Sequence, residues 1–112
     1  MSRKTAILAM LADEPNDPFL NYSLAMEYRR EGDFDRCLET FGQLISNQPP
    51  YVPAFFMAAQ VLVDLDRIDA ARSFLRDGIE AARAAGDRHA AGEMSEYLAT
   101  LGELGESRDG DH

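Results

Sequence analysis

A 34-residue step organises this chain and leaves few architectures open to it. Pro15 and Pro49 stand 34 positions apart, and the same step joins Ile7 to Phe41 and Leu75, Met10 to Leu44 and Gly78, and Leu11 to Ile45 and Ile79. Leu24 with Ala58, Ala25 with Ala59, Tyr28 with Leu62 and Phe34 with Ile68 keep the same frame. Self-similarity at this period marks a supersecondary unit that cannot bury its apolar face alone and does so against the next copy. One helical hairpin written repeatedly is therefore expected. Stacks of this kind present surfaces to other molecules more often than they perform chemistry.

Each predicted boundary has a physical marker. The first helix covers about 3–12 and ends at Asp13-Glu14-Pro15-Asn16. Asp17 caps a second helix that opens on Pro18, where a missing amide hydrogen costs nothing, and runs to about Glu31. Gly32 permits the tight turn, Asp33 or Asp35 caps the third helix, and Pro49 and Pro50 forbid its continuation past Asn47. Pro53 opens a fourth helix ending near Leu65; a fifth spans about 69–84, and Asp87 caps the last, which reaches about Leu104. That last helix leaves the register, with Gly92, Glu93 and Glu96 where small or apolar residues are due. Its own apolar stripe runs through Ala90, Ala91, Met94, Tyr97, Leu98, Leu101 and Leu104, while Glu93, Glu96, Thr100 and Glu103 face elsewhere. A polar outer face suits the end of a stack. Gly105 to His112 has no apolar residue and reads as a disordered acidic tail over 105–112, leaving one helical domain over 1–104.

The spacing Leu24-Ala25-x2-Tyr28, Gly32-x-Phe34-x2-Cys37-x3-Phe41-x2-Leu44 and then Pro49 resembles the tetratricopeptide repeat. A second copy reads Phe55-x2-Ala58-Ala59-x2-Leu62 and Ile68-x2-Ala71-x3-Leu75. The repeats span about 18–50 and 52–84, the first helix stands as the second half of a truncated repeat, and about 87–104 forms a cap. Departures from the pattern are Asn21 in an aromatic position, Asp66 in the glycine turn, Gly78 in a large-residue slot and Arg83 where proline is usual. The fold implied is all-α, a right-handed α-solenoid of about six antiparallel helices. Ala25, Ala59, Cys37 and Ala71 supply small partners against which large residues such as Phe41, Leu62 and Leu75 pack.

Composition narrows the function. A net charge of −9 repels nucleic acid and anionic membrane surfaces and favours a neutral to basic partner. Cys37 is the one cysteine, so no intrachain disulfide forms and a cytoplasmic location is the natural reading. Arg3 and Lys4 before the apolar run Ala6–Ala12 have the look of a minimal signal peptide, but Ile7, Met10, Leu11 and Pro15 are in phase with the repeat. No apolar stretch approaches the ~20 residues that cross a bilayer. No serine, histidine or cysteine sits in a glycine-rich elbow, and the glycines between Gly86 and Gly92 match no phosphate-binding fingerprint. His89 and Glu93 lie four apart, and two ligands do not make a metal site. The chain is read as non-enzymatic and without cofactors.

The family resemblance implies a concave inner surface formed by the first helix of each hairpin. Tyr22, Met26 and Arg29 share one face of the second helix, and the 34-residue step sets Phe56, Gln60 and Val63 beside them, with Phe19 and Met57 extending the stripe. Methionine adapts its shape and aromatics give contact area at little entropic cost, which suits a peptide or an amphipathic helix of a partner protein. Burial of this stripe under Met94 and Tyr97 of the last helix and self-association through it, or through the first helix, as a homodimer remain open alternatives. The lysine and asparagine carboxylate clamp known in the family is missing, because Tyr22 and Met26 occupy its first places.

Overall fold

The computed structural model describes the backbone of residues 2–109 and the side chains of residues 2–102. Among the described residues there are six helices: α1 (Arg3–Asp13), α2 (Pro18–Glu31), α3 (Phe34–Ile45), α4 (Val52–Asp64), α5 (Ile68–Ala84) and α6 (Arg88–Asp109). The chain divides into two compact units, Met1–Ala54 and Phe55–His112. The first holds α1, α2, α3 and the opening turn of α4. The second holds the remainder of α4 with α5 and α6.

Local chemistry fixes the helix starts. The carboxylate of Asp17 accepts from the Leu20 amide at 2.9 Å, that of Asp33 from Arg36 at 3.3 Å and that of Asp87 from Ala90 at 3.0 Å. Each satisfies a donor that the first helical turn leaves without a backbone partner. Ser2 does the same for α1 through the Thr5 amide at 3.1 Å, a cap the sequence reading did not include. Three helices end alike: the amides of Asp33, Arg67 and Asp87 reach back to the carbonyls of Tyr28, Leu62 and Ala82 at 2.8–2.9 Å. That closure requires a left-handed residue just before it. Gly32 and Gly86 take this conformation at φ 80° and 75°, and Asp66 takes it at φ 61°.

Asp66 and Arg67 are thus the second copy of the Gly32-Asp33 turn with less suitable chemistry. A side chain in the left-handed region is disfavoured, and Arg67 caps α5 without any side-chain hydrogen bond. Writing the first turn's cap into the second, Arg67→Asp, is expected to raise stability by ~1 kcal/mol, the usual worth of an N-cap side chain. A urea midpoint that falls, or stays where it was, would count against this account of the turn.

The first unit packs Ile7 of α1, Leu24 and Ala25 of α2, and Cys37, Phe41 and Leu44 of α3 into its interior. Glu27, also buried, is held by Arg3 at 3.7 Å and Arg30 at 3.9 Å. The second unit buries Phe55, Ala58, Ala59 and Leu62 of α4, Ala71, Leu75 and Ile79 of α5, and Met94 and Leu101 of α6. Arg72 ties α5 to α6 by donating to the Leu101 carbonyl at 2.8 Å.

Gly78 explains its own departure from the large residue expected at that position. A β-carbon there would lie 2.6 Å from the Met94 sulfur and 2.6 Å from the Phe55 Cβ, so α5 is approached from both sides at one point. No large side chain fits. One register position departs from its mates, and one helix boundary is corrected. Met10, in register with buried Leu44 and Gly78, is 53% exposed. The last helix continues to Asp109 rather than ending near Leu104, so the expected disordered tail is helical as far as Asp109. The part of that tail at 110–112 lies outside the described residues.

Candidate functional site

The seven residues expected to bind a partner are all half-buried, three on α2 in the first unit and four on α4 in the second. On α2, Tyr22 leans on the buried ring of Phe41, with centroids 5.8 Å apart, and on Tyr51 at 5.6 Å, both tilted. Burial pushes the Tyr22 phenol above its ordinary range; Tyr51 adds to this and the Arg29 guanidinium opposes it. Tyr22 is therefore partly a structural ring, with its hydroxyl kept neutral, rather than a wholly free contact residue.

Met26 faces a cleft of about 430 Å³ between α1 and α2, lined also by Ile7, Met10, Phe19, Leu20 and Tyr22. Arg3, Glu27 and Arg30 form its charged edge. Phe19, 64% exposed, stands at the mouth. The turn that positions the start of α2 is locked by Asn21, whose amide donates to the carbonyls of Pro15 at 3.0 Å and Asp17 at 2.9 Å. An aromatic ring at position 21 would have no such donor, which gives this departure from the repeat pattern a local purpose.

On α4, Phe56 lies flat against Tyr97 of α6, with centroids 5.5 Å apart and planes 15° from parallel. One face of Phe56 is thus covered by the last helix, as one of the alternatives for this stripe anticipates. Met57, Gln60 and Val63 are half-buried on the same helix. A second cleft, of about 590 Å³, opens in the first unit where Asn16, Pro18 and Asn21 meet Gln48, Pro49 and Tyr51. It was not anticipated, because its walls are two turns far apart in sequence. The clustering of proline and amide residues at both turns is the signal that points to it.

Groups with reactive potential are placed conservatively. Cys37 is fully buried, and loss of hydration pushes its thiol up to about 11; Arg29 opposes the shift and Asp33 adds to it. A thiol so placed is a poor nucleophile at neutral pH. His89 and Glu93 meet at 2.7 Å on an exposed face of α6. Among the described residues no three histidine, cysteine or carboxylate side chains gather as metal ligands, and no helix is long and apolar enough to cross a membrane.

Comparison with known proteins accords with this geometry. A family profile described as tetratricopeptide repeat matches residues 20–51 and 52–84. The solution structure of a tetratricopeptide repeat domain protein from Salinibacter ruber shares 31% identity at a TM-score of 0.76, over 80% of this chain and 91% of that one. A crystal structure of a tetratricopeptide repeat domain protein from the same organism gives 30% identity and a TM-score of 0.71, over 80% and 99% of the two chains. The solution structure of a Bordetella parapertussis protein, 22% identical, shares the fold at a TM-score of 0.82 over 100% of this chain and 97% of that one. No curated protein matches. Two matched repeats, in the register that sets Ala25 against Ala59 and Phe41 against Leu75, place this chain in the tetratricopeptide repeat family.

Proposed function

We propose that the chain is a non-enzymatic cytoplasmic binding module that captures a peptide or single helix of another protein. Tetratricopeptide repeats are in general protein–protein interaction modules. The contact residues are Tyr22, Met26 and Arg29 on α2 and Phe56, Met57, Gln60 and Val63 on α4. The observation that carries this reading is the cleft beside Met26, whose walls are mostly methionine, aromatic and aliphatic side chains with a narrow charged edge. Such surfaces recognise apolar anchors on a short segment. The net charge of −9 selects segments that are neutral or basic and disfavours acidic ones, nucleic acid and anionic membranes.

Peptides selected against the purified chain from a displayed random library test this. Carboxylates introduced as Met26→Glu and Met57→Glu are expected to weaken the selected peptides by ~100-fold or more, since each places a charge against an apolar anchor. The neutral control Met26→Gln should lose less, and the melting temperature should move little in all three. Selected peptides that bind both glutamate variants as tightly as the parent chain would overturn the proposal.

A further inference from the structure

We infer that α1 is a self-association helix, and that the open side of the α1–α2 cleft receives the α1 of a second copy of this chain, antiparallel to the first and in competition with the peptide proposed above for the same cleft. The 34-residue register makes the case, because it identifies what covers the same place in the second unit. Two steps along the register, Met10 corresponds to Gly78 and Met26 to Met94. In the second unit Gly78 is closed on one side by Met94 and on the other by Phe55 of the preceding helix α4. In the first unit Met10 and Met26 line one cleft, but among the described residues nothing takes the part of Phe55. Met10 is left 53% exposed where its counterpart is buried. By the register, what would close Met10 is a helix, running against α1 as α4 runs against α5 at Gly78.

The chemistry of α1 specifies that helix as another α1. Arg3, Ala6, Met10 and Asp13 recur at spacings of three and four residues and form one stripe along the open side. Residues 6–12, Ala-Ile-Leu-Ala-Met-Leu-Ala, are apolar all round, a pattern that belongs to a helix covered on more than one side, yet only Ile7 is buried. Two such stripes laid antiparallel about a two-fold axis at position 8 set Arg3 against the Asp13 of the partner subunit and Ala6 against the Met10 of the partner subunit, twice over. Small residues meet large ones and opposite charges meet at both ends, as an isologous interface requires. A parallel pairing would set like charges together at each end. Arg3 can reach this contact while it stays beside Glu27 at 3.7 Å, since its side chain is 67% exposed.

Sedimentation of the full chain over a range of concentrations reads the result. The parent chain is expected to show a reversible monomer–dimer equilibrium, and Met10→Glu to weaken dimerisation by ~100-fold or more while helicity and melting are retained, since two carboxylates then lie in one apolar seam. Arg3→Glu and Asp13→Arg are each expected to be monomeric alone and to pair with one another when mixed. A parent chain that stays monomeric up to about 1 mM, where even weak pairing shows, overturns the inference. So does a dimer indifferent to Met10→Glu, or a mixture of the two charge variants that fails to associate.

Discussion

Phe41→Ala is expected to cost ~3–5 kcal/mol, the range for emptying a fully enclosed aromatic site. The ring is completely buried at the centre of the first unit, and Tyr22 of α2 packs on it at a centroid distance of 5.8 Å. Its register partners Ile7 and Leu75 are buried in their own helices, so the site is the point at which each repeat anchors its second helix. Cys37, one turn earlier, is too small and too enclosed to move into the space. The urea midpoint should fall accordingly, and Phe41→Leu should recover much of the loss by restoring volume. A loss below ~1 kcal/mol, the scale of an ordinary surface change, would show that this ring does not hold the hairpin together.

Gly78→Leu is expected to destabilise the second unit by ~3 kcal/mol or more, at the upper end of what overpacking costs. The substitution is chosen because Leu44 is the natural residue one repeat earlier, so a reading from the repeat alone expects it to be harmless or helpful. Geometry says the opposite. The first added carbon already falls 2.6 Å from the Phe55 Cβ, which cannot yield without moving the α4 backbone. Gly78→Ala should also lose stability, since a gain of ~1 kcal/mol in helix propensity is smaller than the strain. Shortening the flexible neighbour by Met94→Ala removes only the second clash, so it should rescue Gly78→Leu incompletely. Full stability of Gly78→Leu would mean that α4, α5 and α6 do not meet at this point.

What the sequence made legible is what local rules and periodicity determine. Asp17 and Asp87 announce helix starts by their chemistry, as do Asp33 and Asp35 together, of which Asp33 is the cap; Pro18 does so by its missing donor and Gly32 marks a turn by its backbone freedom. Ala25, Cys37 and Ala71 are fully buried because the 34-residue step names the positions where helices approach most closely. Periodicity does not say whether the neighbour a position expects is in place. Met10 shares its register with Leu44 and Gly78 and yet faces a cleft, and no pattern internal to α1 distinguishes it from them.

The candidate contact residues were legible as a helix face and less so as a surface. Helical spacing groups Tyr22 with Met26 and Phe56 with Gln60. It cannot foresee that Tyr22 rests on Phe41 and Tyr51, or that Phe56 stacks on Tyr97, because those partners come from other helices. The approach of the turn around Asn16 to the segment around Pro49 is hidden for the same reason.

Amide hydrogen exchange followed by NMR on the whole chain reads helical hydrogen bonding and burial residue by residue, and so decides whether the 34-residue step sets the packing. Helical chemical shifts are expected in six segments, with the slowest exchange at Leu24 and Ala25, at Cys37 and Phe41, and at their equivalents Ala58, Ala59, Ala71 and Leu75 one register step onward. Strand-type shifts, or slow exchange that ignores the 34-residue step, would contradict this expectation.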